Sequence, residues 1–216
     1  IFVNLLFSNS FKLHLLFTNN IHGAIHEVPA RFINPEFSPI LAGGAGAFTY
    51  ASKIRKEAKL KEDFVMLTDA GNIFQGSQLG TYDGGSNIIK WMNWMAYDAI
   101  VPGVRDFDQG VNNLSKLASE ANFPFLASNL EGVDGIEDYK IINANGVKIG
   151  LIGLITPFIS EGLLPEYYEG VAVSDLMKTL NTQIEKIRSE VDLIFVLSHL
   201  GIPYDREDEY DDFIKD

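Results

Sequence analysis

Cysteine is absent from all 216 residues. That excludes disulfides, thiolate metal sites and cysteine nucleophiles, and it fits an exported or a cytosolic protein equally. Basic charge is scarce too: 17 Lys and Arg stand against 29 Asp and Glu, a net charge of −12. A surface of that sign repels phosphate backbones, so nucleic acid is excluded as a partner class. No stretch reaches the roughly 18 consecutive apolar residues of a membrane-spanning helix. No internal repeat and no interdomain linker is visible.

What is present suits a soluble globular chain. Hydrophobic residues make up 46% and charged residues 21%, enough for one well-buried domain or most of a larger one. Two segments stand apart. Ile1 to Phe7 is apolar and runs into Ser8-Asn9-Ser10, which reads as a signal remnant or as a hydrophobic extension packed on the fold or a partner. The division is therefore an extension over 1–11 and one domain over 12–216. Near the end Asp205, Glu207, Asp208, Glu209, Asp211, Asp212 and Asp216 collect. Such a run reads as a solvated face, with a docking strip for a basic partner as the alternative.

Apolar runs at Lys12 to Thr18 and Phe64 to Asp69 predict buried strands, each ending in polar residues. Glu27 to Gly44, with Pro29, Pro35 and Pro39, predicts an inserted loop. Helices are predicted over Ala47 to Leu60, from a Ser86 cap through Ala96, over Val111 to Ala121 and over Ser174 to Glu190. The Trp91, Met92 and Met95 stripe reads as core packing. Short strands are predicted at Tyr97 to Val101 and Pro124 to Ala127. Asn145-Gly146 between Tyr139–Ile142 and Val147–Ile155 signals a hairpin. Val191 to Leu197 then predicts a strand ending at Ser198-His199-Leu200-Gly201. Strands alternate with helices, and the polar clusters follow strand ends, where sites assemble in α/β sheets.

Four of those strand-end clusters carry chemistry. They are Phe17-Thr18-Asn19-Asn20-Ile21-His22-Gly23, Asp69-Ala70-Gly71-Asn72-Ile73-Phe74-Gln75-Gly76, Gly103-Val104-Arg105-Asp106-Phe107-Asp108-Gln109-Gly110 and Leu197-Ser198-His199-Leu200-Gly201. In order and spacing they resemble the blocks of the calcineurin-like metallophosphoesterases, specifically the 5′-nucleotidase-like branch. The resemblance implies an α/β fold, a metallophosphoesterase-like β-sandwich of mixed sheets flanked by helices. It also implies a two-metal hydrolytic site, in which anionic ligands offset the repulsion between close divalent ions.

Position by position, the resemblance implies a weakened site. The family's first Asp-x-His stands here as Asn20-Ile21-His22, and its bridging Gly-Asp as Gly71-Asn72. The Gly-Asn-His-Glu-Phe-Asp block stands as Gly103-Val104-Arg105-Asp106-Phe107-Asp108. Valine offers no donor there, and arginine cannot act as a general base at neutral pH. His22 and His199 match retained metal ligands, Asn20 and Asn72 weakened ones, and Asp108 the partner acid of the catalytic histidine that Arg105 replaces. The local charge changes by about three units against cations. The family's last Gly-His-x-His block is expected beyond residue 216.

The expectation is therefore a catalytically impaired domain with a structural or binding role in a larger assembly, without a cofactor. An active nucleotidase with an altered centre of divalent metal ions is one alternative. A metal-free module that binds a small anion or nucleotide at Arg105 is the other. Arg105 is expected to fill the vacated space and pair with Asp106 or Asp108. A protein partner and export to the periplasm or cell surface are also expected. His14 reads as a strand residue, His26 as a loop residue, and Gly43, Gly44 and Gly46 as packing positions.

Overall fold

The computed structural model describes residues 12–201. The Ile1–Phe7 segment and the acidic cluster from Asp205 onward lie outside the described residues.

The apolar run after Lys12 forms β1 (Leu13–Thr18). The Pro-rich insertion folds back through two short strands, β2 (Val28–Pro29) and β3 (Ile40–Leu41), and runs into helix α1 (Gly43–Leu60). That helix starts a turn earlier than its apolar spacing suggests. The glycines allow it: a Cβ on Gly44 would lie 2.6 Å from the Trp91 Nε1, so only glycine brings this turn against the indole. Next come β4 (Phe64–Asp69), a one-turn α2 (Gln78–Thr81), α3 (Ser86–Met95) and β5 (Ala99–Ile100). Ser86 does not cap α3. Gly85, at φ 97°, takes the N-cap position, and the buried Ser86 hydroxyl instead accepts from Lys116 Nζ at 2.8 Å.

A 3₁₀ turn (Val104–Phe107) leads to α4 (Val111–Glu120), β6 (Phe125–Leu126), β7 (Leu130–Glu131) and β8 (Ile136–Glu137). The hairpin follows as β9 (Tyr139–Ala144) and β10 (Val147–Ile155). Asn145 and Gly146, both at positive φ, give the turn its two left-handed residues. After β11 (Ala172–Val173) the chain forms α5 (Leu176–Ile187), capped by the Asp175 side chain on the Lys178 amide, and β12 (Leu193–His199).

Strands β1, β4, β5, β6 and β8 form one sheet in the order β1-β4-β5-β6-β8, with every pairing parallel. A second sheet, β12-β10-β9, pairs β12 parallel and β9 antiparallel to β10, so the mixing of directions resides there. Met66, Ala99 and Leu126 of the first sheet pack against Ile142, Ile149 and Leu151 of the second. Gly153 permits the closest approach: a Cβ there would lie 2.1 Å from the Leu126 carbonyl. The Trp/Met stripe of α3 packs on the outer face of the first sheet with Leu67, Ile100 and Phe125. Ile187 of α5 packs on Ile152 and Leu154 of the second. The result is a sandwich of two sheets flanked by helices. Because the first sheet and β12 run parallel, their carboxyl ends deliver the polar clusters to one edge.

Candidate functional site

The loop after β4 is the hub. Consecutive backbone bonds lace it to the loop after β1: the Ala70 amide donates to Thr18, Asn20 to Gly71, His22 to Asn72 and Gly23 to Ile73, each at 2.9 Å. Asn20, His22 and Asn72 all sit at left-handed φ near 50–60° (50°, 49° and 59°). Asparagine tolerates that region; histidine adopts it only where neighbours hold it.

The third loop is clamped to the hub by a carboxylate. Asp106, fully buried, accepts from the amides of Asn72 (2.8 Å), Ile73 (2.7 Å) and Gly103 (2.8 Å). Burial raises its pKa, while those three amides and the nearby His199 pull the other way. Gly103 must be glycine, since a Cβ would lie 2.3 Å from Asn72 Oδ1.

Side chains complete the stitching. Asn72 Nδ2 donates to Asn20 Oδ1 (2.8 Å), and Asn72 Oδ1 accepts the Arg105 amide (2.8 Å). Both polar atoms of Asn72 are thus engaged by protein. The two histidines share one orientation. His22 Nδ1 donates to the Gln75 carbonyl at 2.7 Å, and His199 Nδ1 to the Ala70 carbonyl. Each imidazole therefore keeps Nε2 for another partner.

Arg105 pairs with Asp108 at 3.6 Å and donates to the Gly162 carbonyl at 3.2 Å. Of the two expected partners, Asp108 takes it; Asp106 is sequestered by backbone amides. The guanidinium is half exposed, and its bonds lead toward Gly162 rather than to Asn20, Asn72 or the histidines. Burial raises the Asp108 pKa, opposed by Arg105 and by His22.

Below the hub lies a buried group that opens the second motif but to which the resemblance assigns no role. Asp69, 1% exposed, accepts from the Thr18 hydroxyl (2.5 Å) and the Gly71 amide (2.6 Å). Thr18 also bonds the Tyr97 hydroxyl (2.8 Å). Burial pushes the Asp69 pKa up to about 7, against the two hydrogen bonds, and burial raises Tyr97 as well. The signal was a carboxylate closing an apolar strand, two residues before a glycine.

The other candidates fall elsewhere. His14 bonds Asp63 at 3.1 Å on the strand's far end, and His26 is exposed. A cavity of about 400 Å³ adjoins Asn20 and is lined by Ile25, Gly44 and Trp91. A larger one of about 590 Å³ lies past Asp108, between Gln109 and Glu166. Histidine or Arg105 side chains line neither.

These donors do not fit a two-ion centre. Such a centre needs anionic oxygen between its ions, and Asn72, which the resemblance implies as the bridging position, is an amide already bonded on both sides. The nearby carboxylates of Asp69, Asp106 and Asp108 each have protein partners. Among the described residues no three His, Cys, Asp or Glu side chains form a metal-binding group.

A two-sheet sandwich with histidines and amides gathered at parallel strand ends defines the class of phosphoesterase-like folds, and comparison with known proteins narrows it. No family model matches the chain. A snake venom 5′-nucleotidase of Crotalus adamanteus is 31% identical over 212 residues, 92% of this chain and 34% of its own. The 5′-nucleotidase precursor of Thermus thermophilus superposes with a TM-score of 0.75 at 25% identity, over 90% of this chain and 38% of that one. The calcineurin-like phosphoesterase YfkN of Bacillus subtilis gives 0.69 at 27%, over 88% and 62%. The chain belongs to the calcineurin-like metallophosphoesterase superfamily, in its 5′-nucleotidase-like branch. It spans about a third of the length of the curated relatives it matches (34% for the Crotalus protein).

Proposed function

We propose that this chain is a catalytically impaired 5′-nucleotidase-like domain, kept as a structural or binding unit of a larger assembly. The observation that carries the reading is the Asn20–Asn72–Arg105 relay, with both polar atoms of Asn72 bonded to protein. Two carboxylates at 20 and 72 would repel one another without a cation between them. Two amides supply donor and acceptor themselves, so the loops close without an ion. Arg105 adds positive charge where the resemblance expects a neutral histidine, and Val104 adds no donor.

Metal content by elemental analysis, together with hydrolysis of adenosine monophosphate and of a generic phosphomonoester, tests the reading. The expected result is neither stoichiometric metal nor turnover. Bound divalent metal with turnover abolished by His22→Ala would establish the active alternative instead.

A second reading is favoured by one observation: the Arg105 guanidinium is half exposed and pairs with Asp108 at 3.6 Å, longer than a close ion pair. A small anion or nucleotide phosphate could exchange for Asp108 there, taken by the guanidinium fork. Calorimetric titration with phosphate and adenosine monophosphate tests it; absence of both heat and thermal stabilisation removes it. Export to the periplasm or cell surface belongs to the same proposal, supported by the relative named as a venom protein. No helix among the described residues is long and apolar enough to cross a membrane.

A further inference from the structure

The loop between β2 and β3, together with the first residue of β3, exposes more apolar surface than its own fold requires. Phe32 and Phe37 are each 82% exposed, and Ile33 and Ile40 each 61%. The loop is nonetheless built. Asn34 Oδ1 accepts the amides of Glu36 and Phe37, both at 3.0 Å, and Ser38 Oγ donates to the Asn34 carbonyl at 2.8 Å. The Ala30 amide reaches back to Pro39 at 2.8 Å, and the Ala30 side chain is buried at the base. Pro35 and Pro39 stiffen the segment further. Binding would therefore lose little conformational entropy, because the shape exists beforehand.

Four such side chains present on the order of 500 Å² of accessible area. That lies at the upper end of patches on monomeric proteins, and it approaches the roughly 800 Å² per partner of a stable interface. The loop's charge indicates what covers it. Exposed Arg31 directly precedes Phe32 and exposed Glu36 directly precedes Phe37, and among the described residues neither has an ion-pair partner. In a two-fold contact residue i meets j while j meets i, so Arg31 of each copy can face Glu36 of the other. The loop is charge-complementary to itself. A lipid surface fits less well: the loop carries one basic residue, and the chain's net charge is −12, whereas interfacial segments rely on clustered Lys and Arg.

We infer that the Arg31–Ile40 loop is an isologous homodimer interface, with the Phe32 and Phe37 rings at its centre and Arg31–Glu36 pairs at its rim. The inference is independent of how the strand-end site is read.

Sedimentation velocity of the full chain between about 1 and 100 µM reads the association directly. The expected result is a reversible dimer. Phe32→Ser with Phe37→Ser is expected to leave a folded monomer throughout that range, with unchanged circular dichroism. Arg31→Glu is expected to weaken the dimer about tenfold, and adding Glu36→Arg to restore it. The charge pair keeps the test available should the double serine variant fail to fold. A wild-type monomer at every concentration overturns the inference, as does a dimer indifferent to both sets of changes. Binding to phosphatidylcholine vesicles by a chain that remains monomeric overturns it in favour of lipid.

Discussion

Asn72 shows at the residue scale what an amide does that a carboxylate cannot: it gives and accepts at once. Nδ2 serves Asn20 and Oδ1 serves Arg105, so Asn72→Ala strands an acceptor and a backbone donor together. Both bonds are exposed, so water can replace them and the loss is expected near the net worth of a hydrogen bond, about 0.5–1.5 kcal/mol. Asn20→Ala strands only the Nδ2 of Asn72, which can turn to solvent, and is expected to cost less. Urea unfolding of the two variants ranks them; equal losses would mean the relay contributes nothing. Asp69 makes a second residue-scale case. Its folded pKa of about 7 lies above the ordinary carboxyl value of 3.8, so the native state holds the proton more tightly than the unfolded chain. The stabilisation is fully present below about 3.8 and is lost as pH rises through about 7. Asp69→Asn cannot ionise and still offers an oxygen to the Gly71 amide. Its melting temperature is expected to vary less than wild type between those pH values, and parallel profiles would count against the buried, protonated carboxyl.

Among elements, the 3₁₀ turn carrying Asp106 is held by its carboxylate as well as by the buried Phe107 ring. One side chain ties three amides from two loops, and cutting it leaves buried donors unpaired. Asp106→Ala is expected to cost about 3 kcal/mol or more. Asp108→Ala removes only a part-exposed ion pair of 3.6 Å and is expected to cost less than about 1 kcal/mol. Denaturant midpoints decide the comparison. Strands β1, β4 and β12 and helices α1, α4 and α5 were legible because their apolar periodicity is intrinsic to the chain. The starts of α1 and α3 were not. They depend on Gly44 meeting Trp91 and on Gly85 taking a left-handed cap, contacts made across long sequence separations. The site divides along the same line. The strand-end placement of Asn20, His22, Asn72 and His199 could be read from the motifs, whereas the Asp106 clamp depends on where three backbone amides converge.

At the scale of the whole molecule, the two sheets fix their strand ends regardless of what the loops hold, so scaffold and chemistry can part. If so, restoring the chemistry takes several changes acting as one, because metal ligands are strongly non-additive. Asn72→Asp alone is expected to gain no metal-dependent stability, since Val104 still lacks a donor and Arg105 still opposes a cation. Joining it with Asn20→Asp, Val104→Asn and Arg105→His returns two anionic oxygens, an amide and an imidazole beside His22 and His199. Without metal that variant is expected to melt below wild type, because two carboxylates now face each other in place of the amide pair. With manganese or zinc at about a hundredfold its dissociation constant, ligand linkage is expected to return about 2.7 kcal/mol. Thermal melts of wild type, the single and the fourfold variant, with chelator and with each metal, read all three expectations in one series. Wild type rising with metal as far as the fourfold variant would show that the relay yields to an ion, and the impaired-domain reading would fall with it.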